Sequence, residues 1–152
     1  MVHRVKPIDA MQIVTADKIA AVMGLAKAPR SMAALEEMVA SGLPKSALKA
    51  SVARVEQSPA ERRALLNMII PEATYKRRRD RLTPQESERA ERLARTYATA
   101  RHVWNSDEDA LAFLHTRNRS LQGRTPLEVS MSELGARRVE QLLWKIFYGL
   151  GA

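Results

Sequence analysis

The chain has 152 residues, of which 45% are hydrophobic, and it carries a formal net charge of +8 without a cysteine. This size and composition fit one compact domain or two small ones, and the lack of cysteine excludes disulfides and thiolate chemistry. No stretch approaches the ~18 apolar residues of a membrane span, and Asp9, Asp17 and Lys18 interrupt the segment in which a signal peptide would lie. We therefore expect a cytoplasmic protein that does not contact the membrane.

The charge is distributed unevenly along the chain. Residues 1–81 carry 15 Lys and Arg against 8 Asp and Glu, whereas residues 82–152 carry 10 against 9. A basic segment attracts phosphate through long-range electrostatics and counterion release. The first half is therefore predicted to meet nucleic acid, and the nearly neutral second half is better suited to a protein partner.

Helices are predicted to follow one another from residue 31 onward. Residues 1–30 contain no motif that indicates a function. Ser31 can cap a helix over residues 32–41 that stops at Gly42, and Pro44 can open another. No convincing strand pattern occurs, so the sequence predicts an all-α fold.

Three helix starts share one signature, a hydroxyl residue followed by proline and, two residues later, by glutamate. The pattern matches a capping box with proline at the first helical position, where no backbone donor is needed. The three segments are Ser58 to Glu61, Thr83 to Glu86 and Thr125 to Glu128.

A basic helix-turn-helix is predicted in the first half. The first helix covers residues 60–67, Ile69 and Ile70 fill the apolar side of the turn, and an exposed second helix covers residues 72–79. Side chains on this second helix suit contacts with phosphates and base edges. The alternative is a solvated helix end, where cations also gather. The candidate DNA-binding residues are Thr74, Tyr75, Lys76, Arg77, Arg78 and Arg79.

The middle of the second half is predicted to contain two helices and a loop. The helix that starts at Thr83 places four apolar or aromatic residues on one side, namely Ala90, Leu93, Tyr97 and Trp104. Ser106 then starts a helix that ends near His115, and residues 116–124 form an ordered surface loop.

The final helix is unusually apolar. A single stripe at helical spacing predicts its buried face, formed by Val139, Leu142, Leu143, Ile146, Phe147 and Leu150. Trp144 and Tyr148 flank this stripe. Large aromatic side chains beyond a sufficient core favour a second partner surface, although burial within the same domain accounts for them equally well.

Two segments resemble a known family. Residues 69–95, IIPEATYKRRRDRLTPQESERAERLAR, and the pair LQGRTPLE and GARRVEQLLWKIFYGL in residues 121–150 resemble the Xre/MbcA/ParS-type antitoxins. The resemblance implies an Xre-like helix-turn-helix that binds operator DNA and a C-terminal domain that docks on a RES-domain toxin of a type II pair. In that family the docked domain obstructs the pocket in which the toxin uses NAD, either by phosphorolysis or by ADP-ribose transfer.

The basic run that ends near Arg81 and the capping box that follows it predict a division of the chain there, and the resemblance implies a set of contacts. Residues 1–30 have an unknown role, residues 31–81 form the DNA-binding part, and residues 82–152 form the toxin-binding domain. A homodimer or a higher toxin–antitoxin assembly is expected, since operators usually contain two half-sites. The candidate toxin-binding residues are Asn118, Arg119, Arg124, Trp144, Lys145, Phe147, Tyr148 and Leu150.

Catalysis is not expected. His3, His102 and His115 are too far apart in sequence for a metal motif, and neither a phosphate-binding glycine loop nor a nucleophile elbow occurs. We predict no catalytic residue, metal or cofactor. Two alternatives remain open at this stage, a stand-alone dimeric helix-turn-helix regulator and a helical adaptor without DNA activity.

Overall fold

The computed structural model describes residues 14–149. Within these residues the chain forms nine α-helices, one 3-10 helix and no strand beyond two isolated bridges, which confirms the predicted all-α fold. The helices are α1 (Ala16–Val22), α2 (Met32–Ser41), α3 (Lys45–Val55), α4 (Pro59–Ile69), α5 (Glu72–Arg77), α6 (Pro84–Trp104), α7 (Asp107–His115), α8 (Pro126–Val129) and α9 (Glu133–Phe147), with the 3-10 turn at Arg119–Leu121.

The helix starts lie where the capping signals predict them. The hydroxyls of Ser58, Thr83 and Thr125 each accept a hydrogen bond from the backbone amide three residues later. The reciprocal bond from glutamate to the N-cap amide is present at α6, where the Glu86 carboxylate accepts from Thr83 N–H at 2.9 Å. For α4 and α8 the prediction of a complete capping box is therefore wrong, because the hydroxyl alone acts as the cap.

Helix α6 is the centre of the fold. It packs against α1, α2, α3 and α4, which precede it in the sequence, and against α7 and α9, which follow it. Its buried apolar side chains belong to one continuous core. They are Ala90, Leu93, Ala94, Tyr97, Ala98 and Ala100. Since one helix contributes to both halves, the halves are packed together. The predicted division of the chain near residue 81 stays a prediction.

Helix α1 lies in the segment for which the sequence offered no interpretation. Ile19, Val22 and Met23 are buried in the common core, together with Val14 before the helix. Residues 14–23 therefore contribute to the core, and the described part of the N-terminal segment is structural.

The turn between α2 and α3 is tied to the start of α6. Leu43 N–H donates to the buried Ser87 hydroxyl at 2.8 Å, and Leu82 N–H donates to the Leu43 carbonyl at 2.9 Å. Gly42 has a φ of +93°, and a Cβ there would lie 2.6 Å from the Leu82 carbonyl oxygen. Only glycine accommodates both the positive φ and the close approach. These bonds hold the segment after α5 against α3.

A second close approach joins α8 to α9. The Ser132 hydroxyl caps α9 by accepting from Gly135 N–H at 3.0 Å. A Cβ on Gly135 would lie 1.7 Å from the Val129 carbonyl oxygen, a distance that no atom pair tolerates. Gly135 therefore lets the start of α9 pack directly on the backbone of α8.

Two aromatic residues placed on the apolar side of their helices are partly exposed. Trp104 is 38% exposed and Phe147 is 41% exposed. Trp104 is the last residue of α6, and Asn105 then turns the chain away with a φ of 52°. Phe147 is level with His102, near that same end of α6. Each of the two is the last residue of its own helix, where fewer neighbours cover a side chain.

Candidate functional sites

The predicted helix-turn-helix is formed by α4 and α5. Ile70, fully buried, and Pro71 connect the two helices. The Asn67 side-chain carbonyl accepts a hydrogen bond from Glu72 N–H at 2.8 Å, so α4 satisfies the first amide of α5. Arg89 of α6 donates to the Ile69 carbonyl at 3.2 Å. Together these contacts fix the angle at which α5 leaves the turn.

Helix α5 is presented to solvent. None of its six residues is buried, and Lys76 and Arg77 are exposed at its C-terminal end, followed by exposed Arg79. Lys76 and Arg63 both approach the Glu72 carboxylate, at 3.3 Å and 2.9 Å. Exposed ion pairs of this kind contribute little stability. The two cations can therefore turn towards a phosphate at small cost.

Tyr75 is held against α3. Its hydroxyl donates to the Lys45 carbonyl at 3.2 Å, and the Lys45 ammonium lies 4.4 Å from the centre of its ring. Partial burial raises the pKa of Tyr75, so the phenol remains a neutral donor at physiological pH. Tyr75 thus anchors α5 to α3. Thr74, by contrast, makes a contact within α5, where it accepts a hydrogen bond from the exposed Arg77 guanidinium at 3.3 Å.

Arg78 forms a two-point contact with a carboxylate of α6. Its guanidinium donates two hydrogen bonds to the Glu86 carboxylate, each 2.9 Å long. The Arg78 hydrogen bond, opposed by burial and assisted by Thr83 N–H, lowers the pKa of Glu86 to about 2. Bidentate arginine–carboxylate pairs fix geometry as well as charge. Arg78 therefore connects the end of α5 to the start of α6.

The position of Arg78 also corrects the predicted end of the second helix of the helix-turn-helix. Residues 72–79 were expected to be helical, but α5 ends at Arg77 and Arg78 is extended, with φ −70° and ψ 132°. The extended backbone directs the Arg78 side chain towards Glu86 instead of outward. Of the four consecutive cations, Lys76, Arg77 and Arg79 face solvent. The assignment of DNA contacts to these residues stays a prediction.

A group of aromatic rings lies at the opposite end of α6. We call His102, Trp144, Phe147 and Tyr148 the aromatic cluster. Phe147 lies 5.5 Å from His102, 5.7 Å from Trp144 and 5.2 Å from Tyr148, measured between ring centroids. Trp144 is partly buried, whereas Phe147 and Tyr148 are each 41% exposed. The cluster is therefore an apolar surface built on two helix ends.

Histidine in this cluster is a neutral ring. Burial, and to a smaller extent the positive charge of Lys18, lower the pKa of His102. At neutral pH the imidazole is therefore uncharged and packs like its aromatic neighbours.

The outer face of α9 is basic and includes residues that the sequence analysis missed. Arg137, Arg138 and Lys145 are exposed on this face, and Leu134 at its start is 73% exposed. The signal was available, because these positions recur at helical spacing opposite the apolar stripe. Lys145 was predicted as a contact, whereas the apolar Leu134 was not.

The predicted contact residues in the loop of residues 116–124 differ in their roles. The Asn118 side chain accepts from Ser120 N–H at 2.8 Å, and its backbone carbonyl accepts from Gly123 N–H at 3.0 Å. Asn118 thus shapes the loop, whereas Arg119 and Arg124 are exposed. Leu150, the last predicted contact, lies outside the described residues. None of the proposed toxin contacts is tested by the fold alone.

An arginine pair attaches α9 to α6. Arg92 donates to the Glu133 carboxylate at 2.9 Å and to the Met131 carbonyl at 3.2 Å. Arg95 lies 3.1 Å from a Glu140 oxygen and 3.3 Å from Glu133. Burial raises the pKa of Glu140, since desolvation disfavours its charged form. The ion pairs set the position of α9 along α6.

Other kinds of site find no support in the described part of the chain. Residues 14–149 contain no group of three or more His, Asp or Glu side chains that could hold a metal ion. In the same residues no helix combines the length and apolar character needed to cross a membrane.

The geometry therefore defines a basic helix-turn-helix joined to a helical domain with an apolar surface. Residues 34–95 match the antitoxin Xre-like helix-turn-helix domain, and residues 99–149 match the antitoxin Xre/MbcA/ParS C-terminal toxin-binding domain. The chain belongs to the Xre-type antitoxins, which confirms the resemblance seen in the sequence. No curated protein matches the chain.

Proposed function

We propose that this antitoxin neutralises a RES-domain toxin of a type II pair in the cytoplasm and represses their shared operon. In this proposal the C-terminal domain covers the pocket in which the toxin consumes NAD. The chain itself performs no chemistry, and inhibition is stoichiometric. The observation that carries the proposal is the match of residues 99–149 to a toxin-binding domain whose surface contains the aromatic cluster.

The exposed part of the aromatic cluster supports its assignment as the toxin-docking surface. Aromatic side chains with one covered and one open face dominate the energetics of many protein interfaces. Phe147 and Tyr148 have this disposition, and the exposed cation Lys145 lies on the same helix. An apolar centre with a charged rim is the usual composition of such an interface.

The exposed cations of α5 support the repressor function. Lys76, Arg77 and Arg79 lie at the end of a short helix that nothing within residues 14–149 buries. The turn before it is anchored by Arg89 and the residue after it by Glu86, so the helix is held rigidly. A rigid, exposed and basic second helix is the element that enters the major groove in this motif.

Co-purification tests the toxin-binding part. The antitoxin is expressed with the product of the neighbouring reading frame, and NAD consumption by that product is measured with and without the antitoxin. We expect a stable complex and suppressed NAD loss. Phe147→Asp with Tyr148→Asp should abolish suppression, whereas Met32→Asp, an exposed apolar position on α2, serves as the matched control. Equal suppression by both variants would place toxin docking elsewhere.

Operator binding tests the second part. Arg77→Ala with Arg79→Ala should weaken binding to the operon's own promoter and reduce the dependence of the logarithm of affinity on the logarithm of salt concentration. Arg117→Ala, an exposed cation in the loop after α7, is the matched control. Suppression of NAD loss should be unchanged in both variants. A stand-alone regulator would instead bind promoter DNA tightly and capture no toxin.

A further inference from the structure

The two most exposed large apolar side chains of residues 14–149 lie on either side of α8. Leu134, the second residue of α9, is 73% exposed, and Met68, near the end of α4, is 62% exposed. Met68 shares one groove with Leu127 and Glu128 of α8, whereas Leu134 shares a second groove with the same Glu128. We call this surface, from Met68 across α8 to Leu134, the α8 face.

The apolar character of the α8 face is continuous. Leu65 contributes to the groove of Met68, and Val129 contributes to the groove of Leu134. Met68 and Met131 also border a third groove, which joins the other two. Connected apolar surface of this kind marks an interaction site more often than scattered exposed residues do.

Charge divides the α8 face into two unlike halves. The groove of Met68 is bordered by the Glu61 carboxylate, whereas the guanidinium groups of Arg124 and Arg138 border the groove of Leu134. All three charged side chains are exposed. In the described part of the chain, no ion pair involves any of the three. The face therefore has an acidic end and a basic end.

The two ends complement each other, although they lie side by side in one chain and cannot meet there. A second copy turned by 180° about an axis through α8 brings each Leu134 to the partner's Met68 and each Arg138 towards the partner's Glu61. Two-fold symmetry forms every such contact twice and closes the assembly at two copies. Glu128 lies next to this axis, where Arg138 in the same groove offsets the approach of the partner's Glu128.

We propose that the α8 face is the interface of a homodimer of this chain. The proposal assigns a surface to the dimer expected from the sequence, and it rests on neither toxin binding nor DNA binding. The aromatic cluster lies outside this interface, because Phe147 is about 20 Å from Leu134 along α9 at ~1.5 Å per residue. Met68 lies shortly before Glu72, the first residue of α5, so the interface is beside the helix-turn-helix of each copy. Under the proposed function, such a dimer presents two basic helices to the two half-sites of an operator.

Sedimentation velocity of the full chain, without toxin or DNA, tests the proposal. The parent should sediment at twice its chain mass of 17.0 kDa, and dilution should return it to monomer. Leu134→Asp and Met68→Lys should each raise the Kd of the dimer about tenfold or more, because a charge then enters an apolar contact. Met32→Asp and Met32→Lys introduce the same charges at an exposed apolar position on α2 and should dimerise like the parent.

A mixture of the two interface variants tests the two-fold pairing itself. In a heterodimer of Leu134→Asp with Met68→Lys, one contact places aspartate against lysine, and the other keeps Leu134 against Met68. The mixture should therefore dimerise more tightly than either variant alone. Far-UV circular dichroism verifies that each variant is folded.

A parent that is monomeric at every concentration would overturn the proposal, and so would a dimer that neither Leu134→Asp nor Met68→Lys weakens. Species that grow beyond two copies as the concentration rises would also overturn it, because a head-to-tail contact does not close. Two monomeric variants that stay monomeric when mixed would refute the pairing of Leu134 with Met68 across the axis.

Discussion

Replacement of Arg78 by alanine should destabilise the fold, whereas replacement of its neighbour Arg77 should not. Arg78 forms a bidentate pair with Glu86, whose side chain is 8% exposed. Arg77 is exposed and donates to Thr74 at 3.3 Å. The two substitutions remove the same charge from adjacent positions. Only Arg78→Ala leaves a buried carboxylate without its cation.

The size of the effect follows from the pKa of Glu86. Lowering the pKa of Glu86 from 4.5 to about 2 corresponds to about 3 kcal/mol of stabilisation of the charged carboxylate, since each tenfold change in proton affinity is worth about 1.4 kcal/mol. Arg78 is still 32% exposed, so solvent screening reduces its share, and the Thr83 N–H continues to bind Glu86 in the variant. We therefore expect Arg78→Ala to lower the free energy of unfolding by about 1–2 kcal/mol.

The effect should depend on pH in a defined direction. Folding lowers the pKa of Glu86, so the charged carboxylate contributes stability above its unfolded value of 4.5 and loses it as the pH falls through about 2. The difference between the parent and Arg78→Ala should therefore be complete above pH 4.5 and should shrink towards zero near pH 2. Arg77→Ala should follow the parent throughout.

Urea unfolding monitored by circular dichroism at pH 7, pH 4 and pH 2.5 measures these differences directly. Equal midpoints for Arg77→Ala and Arg78→Ala at pH 7 would refute the structural role given to Arg78. Promoter binding adds a second comparison, because Arg77→Ala should weaken it at unchanged stability. A difference in stability that persists undiminished at pH 2.5 would show that lost packing, and not the Glu86 charge, accounts for it.

Three further substitutions test other contacts by the same unfolding assay. Gly135→Ala should lower the free energy of unfolding by about 3 kcal/mol or more, because the added methyl would meet the Val129 carbonyl; unchanged stability would contradict the close approach. Ser87→Ala should cost about 1–3 kcal/mol, since it removes the acceptor of a buried backbone N–H in the turn before α3; Ser46→Ala at an exposed position is its control. Burial opposes charge on His115, but the hydrogen bond that its ring donates to the Glu56 carboxylate raises the pKa of His115. This pair therefore stabilises the fold below pH 6.5, and its contribution is lost as the pH rises through the raised value; His115→Gln should remove that pH dependence.

Much of the fold was predictable because its signals are local. A hydroxyl before proline fixes the start of α4, α6 and α8 within a few residues, and the cap needs no information from the rest of the chain. The helix-turn-helix follows from the same starts together with the apolar turn at Ile69 and Ile70. Helix α1 could also have been predicted from local signals, since Asp17 lies in its first turn and Ile19 and Val22 share a face.

The parts that sequence reasoning did not predict depend on tertiary neighbours. Nothing local indicates that Arg78 pairs with Glu86, because a run of cations offers four equivalent donors and the backbone decides which one turns inward. Phe147 fits the apolar stripe of α9 as well as Leu143 does, yet only Leu143 lies beside a long enough stretch of α6 to be buried. Periodicity predicts which face is apolar, and the length of the neighbouring helix decides how much of it is covered.

The continuity of α6 sets a fixed phase between the two surfaces of the antitoxin. Glu86 anchors the end of α5 near one end and His102 supports the aromatic cluster near the other, about 24 Å away at ~1.5 Å per residue. Insertion of one residue between them rotates the far end by about 100° about the helix axis. Under the proposed function, the length of α6 therefore sets the direction in which a docked toxin faces relative to the operator DNA.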